Sequence, residues 1–175
     1  DYVPVRGREC TSQQMPYVAE KFEDFHSFAS STLMDILPQD KVESAVVYEI
    51  SSFESIILIN DKGQLKRKVL PNQLQVSPIK SIYIGDVNED GFKDIFTVGN
   101  HYGVEVETVR YDAGVGGVFL GDGKNGFEYV SPLESGFYVP LDSREIKLLN
   151  SARGQNLYLV LNNNDTPLLF KKNMK

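Results

Sequence analysis

The segment Asp86-Val87-Asn88-Glu89-Asp90-Gly91-Phe92-Lys93-Asp94 lies between two runs that read as β-strands, Ile79–Gly85 and Asp94–Val98. Asp86, Asn88, Asp90 and Asp94 occupy positions 1, 3, 5 and 9 of a D-x-N-x-D-G-x-x-D pattern, so oxygen-bearing side chains alternate around a turning backbone. Position 7, Phe92, offers its carbonyl. Gly91 stands at the sixth place, where a tight turn favours a residue without Cβ. Oxygen-only ligands at about 2.3 to 2.6 Å are what Ca2+ takes. Without a cation the carboxylates of Asp86, Asp90 and Asp94 repel one another. The expectation is a structural calcium site with Asp86, Asn88, Asp90, Phe92 and Asp94 as ligands. The competing reading is a metal-free turn, because Asp and Asn also hydrogen-bond their own backbone.

An EF-hand shares the first half of this pattern but requires a bidentate Glu at position 12, which here is Thr97. The residues after Asp94, Ile95-Phe96-Thr97-Val98, form a strand pattern bounded by Gly99-Asn100 rather than a helix. The EF-hand reading therefore fails, and the loop belongs between two strands.

Outward from this loop, short β-rich runs punctuated by Gly, Asn and Asp continue in both directions. They are Ala45–Ile50, Ser55–Asn60, Gln64–Leu70, Ile79–Gly85, Asp94–Val98, Gly117–Leu120, Gly126–Val130, Ile146–Leu149, Asn156–Leu161 and Pro167–Lys171. Ile79-Lys80-Ser81-Ile82-Tyr83-Ile84 can be laid against Arg144-Glu145-Ile146-Lys147-Leu148-Leu149, each followed by a polar loop and another strand. Repeats of about 40 to 60 residues mark a propeller or an array. The second polar loop, Asn150–Asn156, lacks the carboxylates and is expected to bind nothing. Gly121–Gly126 reads as a hairpin turn.

Residues 1–44 differ from the β-rich remainder, 45–175. Thr11 or Ser12 can cap a helix carrying Tyr17, Val18, Phe22 and Phe25, and a second helical pattern runs through Phe25, Phe28, Ala29, Thr32, Leu33 and Ile36 to a stop at Pro38. This predicts a hairpin of two short helices, with the aromatic stripe Tyr17, Phe22, Phe25 and Phe28 forming its core.

Composition narrows function. A chain of 175 residues with 41% hydrophobic content can bury one respectable core. Its 18 Lys and Arg against 24 Asp and Glu give a formal charge of -6 without any basic run, which disfavours nucleic acid and anionic membranes as partners. Cys10 is the single cysteine, so no intramolecular disulfide can form. No run approaches the roughly 18 apolar residues of a spanning helix. The opening Asp1-Tyr2-Val3-Pro4-Val5 suggests a piece of a larger polypeptide.

A strand, the D-x-N-x-D-G-x-x-D loop, another strand and a G-D-G-x-x-G-F turn together resemble the FG-GAP/VCBS repeats of integrin-like β-propellers. The wording is similar to that of large VCBS repeat-containing propeller proteins of Bacteroidota through Val5–Cys10, the helical insertion, the calcium loop, Arg110-Tyr111-Asp112-Ala113 and Leu133-Glu134-Ser135-Gly136. The resemblance implies a mainly β fold of antiparallel four-stranded blades in a partial propeller, with a small N-terminal helical insertion. It further implies a secreted or cell-envelope protein acting as a non-enzymatic, calcium-stabilised binding or adhesion scaffold for a protein or glycan outside the cytoplasm. It carries calcium onto Asp86, Asn88, Asp90, Phe92 and Asp94 and brings no catalytic residues. A purely structural interblade segment is a further reading.

The stretch 100–112 is long for a link between inner strands, and long loops often carry recognition. Tyr102, Glu105, Glu107, Arg110 and Asp112 are candidate ligand contacts there. Arg110 pinned by Glu105, Glu107 or Asp112 is the alternative. Glu105 and Glu107, neighbours at i and i+2 on an extended segment, are the one pair that could serve a carbohydrate-active enzyme. His26 and His101 have no evident nucleophile partner.

Overall fold

The computed structural model describes residues 2–151 and 154–172. The chain divides into two compact units, Asp1–Ser51 and Ser52–Lys175.

The first unit is helical, but it does not form two helices. Five short helices follow one another: α1 Arg8–Gln14, α2 Tyr17–Lys21, α3 Phe25–Ala29, α4 Leu33–Ile36 and α5 Gln39–Glu43. Polar residues and prolines inside the helical pattern are what cut it. Pro16 occupies the N-cap of α2 and Pro38 that of α5, so Pro38 starts a helix as well as ending one. Asp24 caps α3 by accepting from Ser27 N at 2.7 Å, and Thr32 and Asp35 form a capping box on α4. Thr11 caps nothing; it lies inside α1, whose N-cap is Gly7. Arg8 closes the far end of α2 by donating to the carbonyls of Phe22 and Ala19.

Val18, Phe22, Phe28 and Ile36 form the core of this unit, with Phe22 and Phe28 edge to face at 5.6 Å. The aromatic stripe is split. Phe22 and Phe28 are buried, while Tyr17 and Phe25 face outward, Phe25 beneath the Arg8 guanidinium. Ala45–Ile50 is not a strand: it carries no ladder, and Val46, Val47, Tyr48 and Ile50 are exposed. β-branched residues favour extended structure only where a neighbouring strand and a surface to cover exist.

The second unit is mainly β and wholly antiparallel. Among the described residues its strands are β1 Ile56–Asp61, β2 Gln64–Val69, β3 Ile79–Gly85, β4 Asp94–Gly99, β5 Gly117–Gly121, β6 Phe127–Val130, β7 Ser143–Asn150, β8 Asn156–Asn162 and β9 Leu168–Lys171. They form a hairpin β1-β2, a four-stranded meander β3-β4-β5-β6 and a three-stranded meander β7-β8-β9, and the described sheets do not close into a ring. One helix that the sequence reading lacked, α6 Pro132–Ser135, follows β6, with a Ser131–Glu134 capping box and Gly136 left-handed at its end.

The two meanders repeat one another. Ser81 and Tyr83 lie opposite Val98 and Phe96, and Ile146 and Leu148 lie opposite Val160 and Tyr158. Each first strand carries an irregularity near its start, between Ile79 and Ser81 and between Ser143 and Glu145. Ile146 N reaches Ser81 Oγ at 3.3 Å across the two sheets.

Between them lies the main core of Phe96, Val98, Val118, Phe137, Val139, Ile146, Tyr158 and Val160. Phe96 is at its centre, with ring centroids 5.0 Å from Phe137, 5.0 Å from Tyr158 and 6.2 Å from Tyr83. On the other side of β4, Ile95 packs with Leu74 and Phe119. β4 is thus covered on both faces, and the hydrophobic run Ile95-Phe96-Thr97-Val98 follows from that double burial. Phe96→Ala is expected to lower the unfolding free energy by about 3–5 kcal/mol in a urea titration, whereas Leu133→Ala, at an exposed site, should change it by no more than about 0.5 kcal/mol.

Candidate functional site

The loop between β3 and β4 is wound around its own carboxylates. Asp86 Oδ1 accepts from Glu89 N at 2.7 Å and Asp90 N at 3.1 Å, and its Oδ2 accepts from Gly91 N at 2.9 Å. Asp90 Oδ1 accepts from Phe92 N at 2.8 Å, while Asn88 Oδ1 accepts from Asp90 N at 3.2 Å. Four consecutive backbone N–H groups, from Glu89 to Phe92, are held by side-chain oxygens of the same loop, a chain of Asx turns. Glu89 at φ 68° and Gly91 at φ 91° supply the left-handed steps. Space around the Gly91 α-carbon is open, so glycine is required there for its dihedral and not for room.

Asp94 differs from the other acids in being fully buried. One carboxylate oxygen accepts from Val87 N at 2.7 Å and the other from Gly121 N at 3.0 Å. It therefore ties the loop to the end of β5 and satisfies two backbone donors that would otherwise be stranded. The two turns touch in a second way. A Cβ on Gly121 would stand 2.2 Å from the Lys93 carbonyl, and one on Gly123 would stand 2.2 Å from the Phe92 ring. The close approach of the loop to the β5–β6 turn explains the G-D-G of residues 121–123, whose link to the loop the sequence shows only as two neighbouring motifs. Asp122 between them accepts from Lys124 N and Gly126 N, each at 2.7 Å, and these bonds hold its carboxyl below the ordinary aspartate range.

As a donor set, three carboxylates, the Asn88 amide oxygen and the Phe92 carbonyl suit a hard cation, and no nitrogen or sulfur competes. Their present arrangement is closed on backbone N–H groups, and Asn88 Nδ2 donates to Asp90 Oδ2 at 2.8 Å. Among the described residues no three His, Cys, Asp or Glu side chains are gathered closely enough to enclose a metal. Each hydrogen-bonded carboxylate oxygen keeps lone-pair capacity, so inward rotation of the Asn88 amide and a contraction of the loop are what a cation would require. In the second repeat, the β7–β8 loop supplies Ser151 and Gln155, with Ser151 N donating to the Gln155 carbonyl at 2.9 Å, and no carboxylate; Ala152 and Arg153 lie outside the described residues.

The 100–112 stretch is a loop pinched at its base. His101 and Tyr111 exchange backbone hydrogen bonds at 2.8 and 3.1 Å, and Thr108 N donates to the Glu105 carbonyl at 2.9 Å to make a turn. Glu105 thus opens this turn and Glu107 lies within it, so the two do not sit on an extended segment. Arg110 stacks over the Tyr102 ring at 4.8 Å, a cation–π contact, and Tyr102 donates to the Pro140 carbonyl at 3.0 Å. Asp112 is exposed just beyond the bridge.

The residue that anchors this loop is one the sequence reading treated only as a strand boundary. Asn100, buried and left-handed at φ 73°, donates through Nδ2 to the carbonyls of Gly114, Pro140 and Leu141 and accepts from Gly114 N at 3.0 Å. The Gly-Asn pair closing the β4 pattern was its signal, since Asn is the side-chain-bearing residue that best tolerates this conformation.

No protein-family model, no curated protein and no solved structure matches the chain.

Gly121→Ala is expected to lower the melting temperature by several degrees, because the added methyl would run into the Lys93 carbonyl. For Asp122 the folded carboxyl titrates below its unfolded value, so its contribution is present above the unfolded pKa and is lost as pH falls through the folded one. Asp122→Asn should therefore flatten the fall of stability below about pH 4, measured by urea titrations at stepped pH.

Proposed function

We propose that this chain is a non-enzymatic binding scaffold of the FG-GAP/VCBS propeller type, stabilised by Ca2+ at the β3–β4 loop, and that it works outside the cytoplasm as part of a larger protein. The observation that carries the reading is Asp94. Its buried carboxylate is shared between the D-x-N-x-D-G-x-x-D loop and β5, so anything that fixes the loop also fixes the meander. Support for a propeller comes from two successive antiparallel meanders packed face to face, with matching registers.

Asp86, Asn88 and Asp90 would hold the ion through their side chains, Phe92 through its carbonyl, and Asp94 from the first position of β4. The ion would supply positive charge among three carboxylates and would rigidify the turn. The 100–112 loop, anchored at Asn100 and capped by the Tyr102–Arg110 stack, is the surface offered to a protein or glycan ligand, with Glu105, Glu107 and Asp112 around it. Among the described residues no helix is long and apolar enough to cross a membrane.

Calcium binding that favours the folded state raises stability by linkage, by about 2.7 kcal/mol at a concentration a hundredfold above the dissociation constant. A thermal melt of metal-stripped protein with millimolar calcium should show a rise that magnesium does not reproduce and that Asp90→Ala abolishes. A wild-type melt insensitive to calcium would reduce the loop to a self-bonded turn and overturn the reading.

A further inference from the structure

The sequence contains a single Asn-Gly pair, Asn125-Gly126, and it lies in the β5–β6 turn. Two geometric demands put it there. Asn125 is left-handed at φ 67°, a conformation that Asn tolerates better than other residues with a side chain. At Gly126 a Cβ would stand 2.1 Å from Asp122 Oδ2, so glycine is required. The same pair is the dipeptide most prone to deamidation, because glycine puts no side chain in the way of its own nitrogen as that nitrogen attacks the asparagine amide. Asn125 is also exposed, so the turn holds a reactive pair within reach of water.

The attack requires the Gly126 N–H to give up its proton. In the folded chain this N–H donates to Asp122 Oδ1 at 2.7 Å. Hydrogen bonds from Lys124 N and Gly126 N, with the Lys68 ammonium adding to them, keep the Asp122 carboxyl ionised well below neutral pH. An amide anion at hydrogen-bond distance from a carboxylate sets two negative charges side by side, so the proton stays on nitrogen. The carbonyl of the same peptide accepts from Lys68 Nζ on β2, and the Gly126 carbonyl accepts from Asp122 N at 3.1 Å. The peptide plane between residues 125 and 126 is thus held at its oxygen and at its nitrogen. Lys68 by its charge alone would ease loss of the proton, but it acts through the carbonyl, whereas Asp122 holds the proton itself.

We propose that Asn125 is a site of spontaneous modification gated by Asp122, closed while the carboxylate holds Gly126 N and open once that contact is lost. In the open state the Gly126 nitrogen loses its proton to water and bonds to Asn125 Cγ. The Cγ–Nδ2 bond breaks, and the amide nitrogen takes a proton from water and leaves as ammonia. One water then opens the imide ring to aspartate or, through its other carbonyl, to isoaspartate. Either product adds negative charge to a turn that already carries Asp122. Isoaspartate also lengthens the main chain by a methylene two residues before the pairing of Phe127 with Gly121. Since Gly121 and Gly123 touch Lys93 and Phe92, the change loosens the β3–β4 loop together with the turn. The inference uses no property of calcium binding.

The test follows the full 175-residue chain by peptide mapping and mass spectrometry, which separates asparagine, aspartate and isoaspartate at position 125. Wild type is incubated at neutral pH, folded and in guanidinium chloride, beside folded Asp122→Ala, Asp122→Ser and Glu128→Ala. Folded wild type should convert at least about tenfold more slowly than the unfolded chain. Folded Asp122→Ala should convert about tenfold faster than folded wild type, since one unit in the pKa of the amide nitrogen is a factor of ten in its anion. Asp122→Ser keeps an acceptor without the charge and should also exceed wild type, which preserves the test if the alanine variant does not fold. Glu128→Ala removes an exposed carboxylate from the same hairpin and should keep the wild-type rate. Folded wild type converting as fast as the unfolded chain, Asp122 variants converting no faster than wild type, or Glu128→Ala accelerating as much as they do would overturn the proposal.

Discussion

The carboxylate of Asp94 is the constraint on which the second unit turns. It is fully buried at the first position of β4, and its two oxygens take the N–H groups of Val87 and Gly121. A buried carboxylate is tolerated only where donors replace water, and removing either donor leaves a charge in an apolar setting. Three things are thereby fixed together: the exit of the loop from β3, the start of β4 and the end of β5. Phe96, two residues further along β4, is then aimed at Tyr158 and Phe137, and Ile95 at Phe119. The core inherits its geometry from a polar contact at its margin.

Much of this was legible in the sequence because it is local. Nine of the ten strand runs proved to be strands, since alternation and Gly/Asn/Asp punctuation report a pleated chain between turns. The pairing of Ile79–Ile84 with Arg144–Leu149 as repeats was also visible, down to Tyr83 and Leu148 as counterparts. What escaped reading is non-local or competitive. Ala45–Ile50 has strand-forming residues but no partner strand. The helical segment has one hydrophobic period, yet Pro16, Asp24, Thr32 and Pro38 each end or restart a helix, so caps outweigh periodicity. Phe25 fits the periodicity as well as Phe28 does, and only the tertiary arrangement separates the exposed ring from the buried one.

The candidate site was legible as a loop and less so as an assembly. Spacing identified Asp86, Asn88, Asp90 and Asp94, but it could not reveal that Asp94 serves Gly121, 27 residues away. Nor could it reveal that Gly121 and Gly123 are demanded by Lys93 and Phe92. In the same way, Glu105 and Glu107 read as neighbours on an extended segment, whereas both belong to one turn closed by Thr108. The stacking of Arg110 on the Tyr102 ring carries no signal in the spacing of the sequence. Asn100, with four hydrogen bonds through one amide, is the residue that converts a thirteen-residue excursion into a fixed surface.

Within each of the three sheets, every strand is hydrogen-bonded only to strands adjacent to it in the chain. Ladders of this kind form by closing short loops, which costs little chain entropy, so each meander can organise before the other is complete. The expensive event is the meeting of the two sheets, where Ser81 finds Ile146 across 65 residues and Tyr83 finds Tyr158. Within this unit the docking of the two ladders is therefore the step that closes the longest stretch of chain.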